Sequence, residues 1–201
     1  NEGPCLAIGD QSGTVTCLRA DGRVLWTRAF KDSPIRTYVS ALSAAENVWS
    51  LLVAAGENLH CLDARGEIRW SYRIGGQMLA KPETIAVDSQ QRIICANSLG
   101  QVVALTTDGN ELWRVETGGE IDASITYWED GAKPLIVCTG LWGDAIALDV
   151  DGNRVWRHLF RSKNRARPLI ADANGDGIAE LVAAAYNQHI YAFDLAGTFV
   201  D

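Results

Sequence analysis

The sequence predicts an all-β repeat protein, and two recurring patterns carry that prediction. Four tryptophans each follow a glycine by four residues, and successive tryptophans are 44, 43 and 43 residues apart. These pairs are Gly22/Trp26, Gly66/Trp70, Gly109/Trp113 and Gly152/Trp156. A short strand ends just before each of these glycines, and before Gly197, in a small residue followed by a large apolar one. No helical period of 3.6 residues is sustained, so the chain is predicted to be five copies of one β unit.

Each unit is expected to form antiparallel strands joined by tight turns, because Asp-Gly and similar pairs supply the positive φ that hairpins require. In the first unit these strands are 5–9, 14–19 and 23–30. Later units gain a preceding inner strand at 37–43, 84–87, 123–127 and 167–171. The units cover approximately residues 1–30, 31–74, 75–117, 118–160 and 161–201 of one predicted domain, 1–201.

A single unit of this kind buries only part of its apolar surface, so neighbouring units must stack. Four-stranded blades around a central channel are the known solution at this period. The fold class is therefore predicted as an all-β β-propeller of about five four-stranded blades with 43–45-residue repeats, the first blade lacking its inner strand. The repeated tryptophan is expected to fill the gap between adjacent blades.

The sequence at the two ends of the chain does not determine how the propeller closes. The last unit stops within its outer strand, at Asp201. Three alternatives follow: a five-bladed ring with one incomplete blade, a segment of a larger propeller, or a homo-oligomer in which chains complete one another. Unpaired sheet edges favour association, so one of these arrangements is required.

The repeat resembles a known family. Its clearest copy runs from Ala147-Leu148-Asp149 through Gly152 to Trp156 and is similar to the quinoprotein-like (PQQ-binding-like) propeller repeat. The resemblance covers nearly the whole chain and implies the fold, whereas the family's functions range from alcohol dehydrogenases to outer-membrane assembly lipoproteins and binding scaffolds. The adjacent-cysteine pair of the dehydrogenases is missing here, so pyrroloquinoline quinone is not expected as a cofactor.

The composition and charge of the chain limit the classes of partner that it is expected to bind. The formal net charge of −7 disfavours a phosphate backbone, so nucleic acid is not an expected partner. No apolar stretch approaches the roughly 18 residues that a membrane span needs, so a soluble protein without membrane insertion is expected. The first residue is not methionine, which indicates either a mature secreted form or a trimmed chain. The localisation is therefore left open, with a secreted or periplasmic protein slightly favoured. The five cysteines show no metal-binding spacing, and Cys17 and Cys61 stand where other units have alanine.

The most specific local motif is the loop from Asp172 to Glu180. It resembles the calcium loop of FG-GAP propeller repeats, and that resemblance implies calcium as a cofactor. The implied ligands are Asp172, Asn174, Asp176, Glu180 and the backbone carbonyl of Ile178. Oxygen ligands around a turn glycine suit a hard cation. The alternative is a tight turn held by Asx hydrogen bonds without metal.

Ligands of propellers usually sit at one end of the channel, in the loops before inner strands and in the turns between second and third strands. The candidate ligand-binding residues there are Trp142, Tyr186, Arg36, Lys81, Arg165 and Arg167. Trp142 lies outside the repeated tryptophan register, between flanking glycines. An exposed aromatic ring beside arginines would stack a sugar or a partner side chain and hold an acidic group.

These observations favour a noncatalytic propeller scaffold that binds a protein partner or a glycan at one face of the channel. No Ser/His/Asp, Cys/His or HExxH arrangement is found, although the enzyme question stays open. The alternatives are a fragment of a quinone-dependent oxidoreductase or polysaccharide-degrading enzyme, and a designed or recombined repeat scaffold without a ligand. Absorbance after addition of the quinone with Ca²⁺ would detect the oxidoreductase.

Overall fold

The computed structural model describes residues 5–43, 49–121, 125–129, 134–160, 162–164 and 166–200. These residues form 18 β-strands in five separate antiparallel sheets, called blades 1 to 5 in chain order. Within each blade, strands that are consecutive in sequence are hydrogen-bonded neighbours. The sheets therefore depend on short hairpin connections, as the turn residues predict.

The strands of each blade run as follows. Blade 1 comprises β1 (Cys5–Gly9), β2 (Thr14–Arg19) and β3 (Val24–Ala29). Blade 2 comprises β4 (Ser40–Ser43), β5 (Trp49–Ala55), β6 (Asn58–Leu62) and β7 (Ile68–Arg73). Blade 3 comprises β8 (Glu83–Val87), β9 (Gln90–Ala96), β10 (Gln101–Thr106) and β11 (Glu111–Glu116). Blade 4 comprises β12 (Thr126–Trp128), β13 (Leu135–Thr139), β14 (Asp144–Leu148) and β15 (Arg154–Leu159). Blade 5 comprises β16 (Leu169–Ala171), β17 (Glu180–Ala184) and β18 (Ile190–Phe193).

This arrangement is a partial β-propeller of five blades, and it confirms the predicted fold class and the three-stranded first blade. A bridge between Phe193 and Phe199 marks the position of an outer strand in blade 5. The inner strand of blade 5 begins at Leu169 and not at the predicted Arg167, because Pro168 has no N–H to donate to a sheet. The inner strand of blade 4 was predicted over 123–127, and residues 123 and 124 lie outside the described residues.

The repeated tryptophan joins each blade to the next, as predicted. The indole Nε1–H of Trp26 donates to the carbonyl of Ala64 at 2.9 Å, and its ring lies against Gly66. The same contact recurs three times, with the donor and acceptor listed here in order: Trp70 to Thr107, Trp113 to Val150 and Trp156 to Leu195. Each acceptor stands two residues before a turn glycine, and we call this glycine and carbonyl the tryptophan socket.

Close approach explains why the socket requires glycine. A Cβ on Gly109 would lie 2.6 Å from the Trp70 ring, and the backbone φ there is +82°. A residue with a Cβ would be strained here for two reasons: the Cβ has no space, and side chains disfavour a positive φ. In the Gly-x-x-x-Trp pattern, the glycine is thus the position that receives a ring from the preceding blade. The tryptophan packs against the following blade.

Four hydrophobic clusters fill the gaps between consecutive blades. One of them joins blade 2 to blade 3 through Leu52, Leu59, Ile93 and Leu105, all with no exposed surface. The others join blades 1 and 2, 3 and 4, and 4 and 5. In the part of the chain that the structure describes, no such cluster joins blade 5 to blade 1. Homo-oligomeric completion of the propeller and the single-domain boundary both remain predictions.

The buried cysteines and His60 belong to these clusters or lie beside them. Cys17 and Cys61 are buried as predicted, and burial raises the pKa of the Cys95 and Cys138 thiols to about 12. Such thiols behave as small apolar side chains. The His60 ring stacks on Phe30 at 4.4 Å, and its burial lowers the pKa of the imidazole.

Candidate functional site

The turns between second and third strands lie beside the loops that connect consecutive blades, and together they form one end of the propeller, which we call the turn face. Backbone hydrogen bonds fix each turn to the adjoining loop. Leu141 N donates to Glu120 O at 2.7 Å, and Tyr186 N donates to Lys163 O at 2.9 Å. An equivalent bond joins Ser98 N to Gln77 O in blade 3. The turn face is therefore held by the scaffold.

Two of the predicted ligand-binding residues come together around a lysine that sequence reasoning did not identify. Trp142 and Tyr186 belong to the turns of blades 4 and 5 and are 63% and 65% exposed. The Lys163 ammonium lies 5.6 Å from the centroid of the Trp142 ring, within the range of a cation–π contact. We call Trp142, Lys163 and Tyr186 the aromatic patch. No repeat signal marks Lys163, because Gln77 and Glu120 occupy the equivalent positions.

Asn164 lies next to this patch and is fully buried. Its side-chain oxygen accepts a hydrogen bond from the backbone of Ala166 at 2.9 Å. Its amide nitrogen has no hydrogen-bond partner among the described residues. An unpaired buried donor costs free energy, and such costs are tolerated where a ligand or water completes the bond. Arg165, a predicted ligand-binding residue, lies outside the described residues.

Two other predicted residues, Lys81 and Arg167, converge on Glu83 at the inner strands. The Lys81 ammonium is 3.5 Å from Glu83 Oε2, and an Arg167 guanidinium nitrogen is 3.4 Å from Oε1. The Arg167 contact is an ion pair without hydrogen-bond geometry, so Oε1 accepts no hydrogen bond from the residues that the structure describes. Arg167 Nε also lies 3.4 Å from Thr126 Oγ1. This Glu83 cluster spans blades 3 to 5, with one carboxylate between two cations.

Glu83 stands where blades 2 and 4 carry a hydroxyl residue. Ser40 and Thr126 occupy the same inner-strand position, 43 residues away on either side, and each donates to the carbonyl of a proline in the next inter-blade loop. A carboxylate cannot make that bond, so Glu83 pairs with cations instead. Two of the predicted basic residues, Lys81 and Arg167, thus form ion pairs within the protein.

Arg36 lies apart from both groups, although sequence reasoning placed it in the same ligand-binding set. It is exposed between blades 1 and 2 and lines an open cavity of about 490 Å³ with Ser12, Asp32 and Pro34. The predicted ligand-binding residues therefore form two groups and one separate position on the described structure. Whether any of them contacts a ligand stays a prediction.

The predicted calcium loop has its side-chain oxygens turned onto its own backbone. The Asp172 carboxylate accepts hydrogen bonds from the N–H groups of Gly175, Asp176 and Gly177. The buried Glu180 carboxylate accepts from Ala173 N at 2.8 Å. Asn174 and Asp176 also accept backbone N–H bonds, and Ile178 is 59% exposed. Among the residues described, no group of three or more His, Cys, Asp or Glu side chains is placed to hold a metal, and calcium stays a prediction.

Metal removal tests the calcium loop directly. If Ca²⁺ binds and its free concentration is about 100 times the dissociation constant, chelation should lower the free energy of unfolding by about 2.7 kcal/mol. The melting temperature should fall accordingly. Asp176→Ala should abolish that sensitivity, whereas Asp108→Ala, at an exposed turn of blade 3, should keep it. Calorimetry with and without EDTA measures both effects. An unchanged melt of the unmodified protein would rule out a stabilising calcium ion.

A second cavity lies beside this loop, and no motif in the sequence predicts it. It measures about 600 Å³ and is lined by Tyr127, Trp128, Glu129, Ile170 and residues 177–179. The Trp128 indole nitrogen is buried without a hydrogen-bond partner among the described residues. Burial is the main cause that raises the pKa of the Tyr127 hydroxyl, with the Glu129 carboxylate adding to it.

This chain has no counterpart of the adjacent-cysteine pair of the quinone-dependent dehydrogenases that its repeat resembles. No two cysteines are adjacent in sequence. Cys17, Cys61, Cys95 and Cys138 are buried in four different blades, and the exposed Cys5 lies in contact with Cys17 in blade 1. We therefore derive no reaction step through a quinone. A search for membrane-spanning helices in the described residues found none long and apolar enough.

Comparison with known proteins gives one family match. The family model described as outer membrane protein assembly factor BamB matches residues 11–199. A search of the curated proteins found no match.

Solved structures share the fold. The crystal structure of BamB from Moraxella catarrhalis aligns with a TM-score of 0.70 and 23% identity, covering 97% of this chain and 56% of that one. Quinohemoprotein alcohol dehydrogenase from Comamonas testosteroni aligns with a TM-score of 0.74 and 14% identity, covering 98% and 41%. A structure of BBS1N in complex with ARL6DN aligns with a TM-score of 0.63 and 14% identity, covering 97% and 55%. The chain thus spans about half the length of these structures.

Proposed function

Because the chain belongs to the family described as outer membrane protein assembly factor BamB, we propose that it is a noncatalytic propeller scaffold that binds a protein partner through its turn face. The family description further supports a role in outer-membrane protein assembly and a periplasmic, outer-membrane-associated location. The aromatic patch of Trp142, Lys163 and Tyr186 is the observation that carries the binding proposal.

The composition of the patch suits a protein interface. Tryptophan and tyrosine are the side chains most enriched at binding hot spots, and here two of them are largely exposed on adjacent blades. Lys163, whose ammonium lies against the Trp142 ring, offers a cation to an acidic side chain of the partner. Its aliphatic stem also covers apolar surface, so the patch combines apolar contact with one charge.

The rigidity of the patch favours binding. Tyr186 N donates to Lys163 O, and Phe160 N donates to the carbonyl of Gly143, so both turns are tied to the loop between blades 4 and 5. Ordering a surface during association costs affinity, and a surface that is already ordered avoids this cost.

A protein partner is favoured over a glycan by the neighbouring blade. Leu99 occupies the position in blade 3 that Trp142 occupies in blade 4, and it is 63% exposed. Aromatic rings stack on sugars, but an aliphatic side chain provides no such platform. A row of Leu99, Trp142 and Tyr186 along the turn face therefore fits an apolar strip on a protein.

Binding to a defined partner tests this proposal. We expect the protein to bind a purified outer-membrane protein assembly complex depleted of its own member of this family. The double variant Trp142→Ala/Tyr186→Ala should weaken that binding by about tenfold or more, because two exposed hot-spot rings are lost. Surface plasmon resonance measures the dissociation constants.

Trp49→Ala provides the matched control, since Trp49 is also exposed, at 58%, but begins β5 away from the turn face. This variant should bind as the unmodified protein does. Equal loss in both variants, or no loss in the double variant, would contradict a partner site at the patch. Specific glycan-array binding that is lost in Trp142→Ala would instead identify a lectin.

A further inference from the structure

Two cysteines meet within the first hairpin of blade 1. Cys5 on β1 is exposed, Cys17 on β2 is buried, and the two thiols are in contact. The strand register pairs Cys5 with Arg19, two residues beyond Cys17. Directly opposed residues point to the same face of a sheet, and so do residues two apart along one strand. Both thiols therefore lie on one face, as a diagonal cross-strand pair.

This face of the hairpin is directed towards blade 2. In each of the next three blades, the equivalent of Cys17 lies in the cluster that joins its blade to the following one: Cys61, Ala104 and Ala147. Arg92, the equivalent of Cys5 in blade 3, donates to the Val150 carbonyl of blade 4. The contact between the two cysteines therefore does not depend on what covers the opposite face of blade 1.

Among the residues that the structure describes, blade 1 alone has cysteine at both positions of this pair. Blade 2 has Ser50 and Cys61 there, and the Ser50 hydroxyl makes a hydrogen bond with the Cys61 thiol. Side chains at these two positions thus meet in both blades. In blades 3 to 5 the pairs are Arg92/Ala104, Leu135/Ala147 and Glu180/Ala192.

We propose that Cys5 and Cys17 form a reversible disulfide in the presence of an oxidant that itself carries a disulfide. The Cys5 thiolate attacks one sulfur of the oxidant, whose S–S bond breaks as a mixed disulfide forms and one thiolate leaves. The Cys17 thiolate then attacks the Cys5 sulfur, forming the internal bond and releasing the second thiolate. The two cysteines lose two electrons and two protons, and the oxidant takes up both to become two thiols.

Accessibility determines the order of these two steps. Cys5 is exposed to the oxidant, whereas Cys17 is only 3% exposed. Burial is the main cause that raises the pKa of the Cys17 thiol to about 11, with the Cys5 thiol adding to it. Because the thiolate is the nucleophile, Cys17 reacts poorly with an external oxidant. It is suited to the second step, in which proximity to the mixed disulfide compensates for a low fraction of thiolate.

The geometry of the pair favours a bond that is easily reduced again. Diagonal partners lie about 7 to 8 Å apart, at or beyond the upper limit of the Cα separations that disulfides usually span. Closing the bond thus needs a small backbone adjustment, and Cys5 is the first residue of β1, where an adjustment disturbs few sheet hydrogen bonds. Strained or exposed disulfides are the labile ones.

The periplasm is an oxidising compartment, so the proposed location would supply such an oxidant. The disulfide itself is a property of one hairpin of this chain. This inference goes beyond the proposed function and does not depend on it.

Mass spectrometry of the full chain tests the proposal. Reduced protein is incubated with oxidised glutathione, and the remaining thiols are blocked with N-ethylmaleimide in denaturant. Trypsin then releases residues 1–19 as one peptide that contains both cysteines. We expect this peptide to carry no maleimide and to be lighter than its reduced form by two hydrogen atoms. Cys61, Cys95 and Cys138 should each carry maleimide, and dithiothreitol should restore both thiols of the peptide.

Three variants locate the bond. Cys17→Ala should fold, because blades 3 to 5 carry alanine at this position, and should retain Cys5 as a mixed disulfide with glutathione. Cys5→Ser introduces the residue that blade 2 has at the equivalent position, and should leave Cys17 alkylated. Cys61→Ala is the matched control, since it removes a buried cysteine from the position equivalent to Cys17. It should form the internal disulfide as the unmodified protein does.

Three outcomes would overturn the inference. One is recovery of residues 1–19 from the unmodified protein with both cysteines alkylated. Another is a mixed disulfide that persists at Cys5 while Cys17 stays free. The third is a disulfide between two chains, seen by non-reducing electrophoresis and lost in Cys5→Ser, which would assign Cys5 to intermolecular pairing. Binding of the outer-membrane assembly complex is measured with other variants, so failure here leaves the proposed function intact.

Discussion

Replacing Trp113 with alanine should lower the free energy of unfolding by about 3 kcal/mol, because a large ring is removed from between blades 3 and 4 and its hydrogen bond to the Val150 carbonyl is lost. The ring is half-buried and packs against the cluster that joins these blades, so its removal leaves a gap at the interface between them. Urea unfolding followed by intrinsic fluorescence measures the change.

Trp142→Ala is the control for this experiment. It removes the same side chain from a position that is 63% exposed, so its effect on the free energy of unfolding should stay within about 0.5 kcal/mol. Similar destabilisation by both substitutions would show that the repeated tryptophan has no special structural role. A large effect of Trp142→Ala alone would make that residue part of the packed structure and weaken the case for a binding patch.

Gly109→Ala should destabilise the protein by about 2 to 5 kcal/mol, the second large effect that we expect. The backbone at Gly109 has a φ of +82°, which costs a residue with a Cβ about 1 to 2 kcal/mol. The new methyl group would also lie 2.6 Å from the Trp70 ring, and overpacking of this kind typically costs about 1 to 3 kcal/mol. Thermal and urea unfolding report the sum.

Gly22→Ala separates the two contributions. Gly22 has a φ of +85° but nothing within 4 Å of the Cβ position, so only the backbone cost of about 1 to 2 kcal/mol should appear. The difference between the two variants then measures the packing of the ring against the glycine. If the two substitutions cost the same, ring contact does not explain why these turns carry glycine.

The aromatic patch and the tryptophan sockets show two uses of one residue type in a single repeat protein. The four tryptophans at the repeated position have a structural role, since each donates its indole N–H to the following blade. Trp142, out of register on the turn face, has no such socket and stays exposed. Register within the repeat therefore identifies four structural tryptophans, whereas the tryptophans out of register differ among themselves: Trp128 is buried, and Trp49 and Trp142 are exposed.

Several features of the fold were accessible from the sequence because each hydrophobic cluster of the described residues joins two consecutive blades. Each socket pairs a glycine and a tryptophan that recur at one spacing, and the same environment repeats in every blade, so the local pattern identifies the architecture. The three-stranded first blade also followed from the pattern, and the structure confirms it. Strand ends were predicted less well where a proline such as Pro168 interrupts pairing.

The sequence by itself determined the repeat, the β-propeller class and the separation of Trp142 from the structural tryptophans, because these depend on periodicity and local turn chemistry. Only the tertiary structure decided which side chains meet. Lys163 joins Trp142 and Tyr186, and Arg167 reaches Glu83 two blades away, through the rotation of one blade relative to the next. The sequence separation of these residues does not specify that rotation, so their contacts are evident only once the blades are assembled.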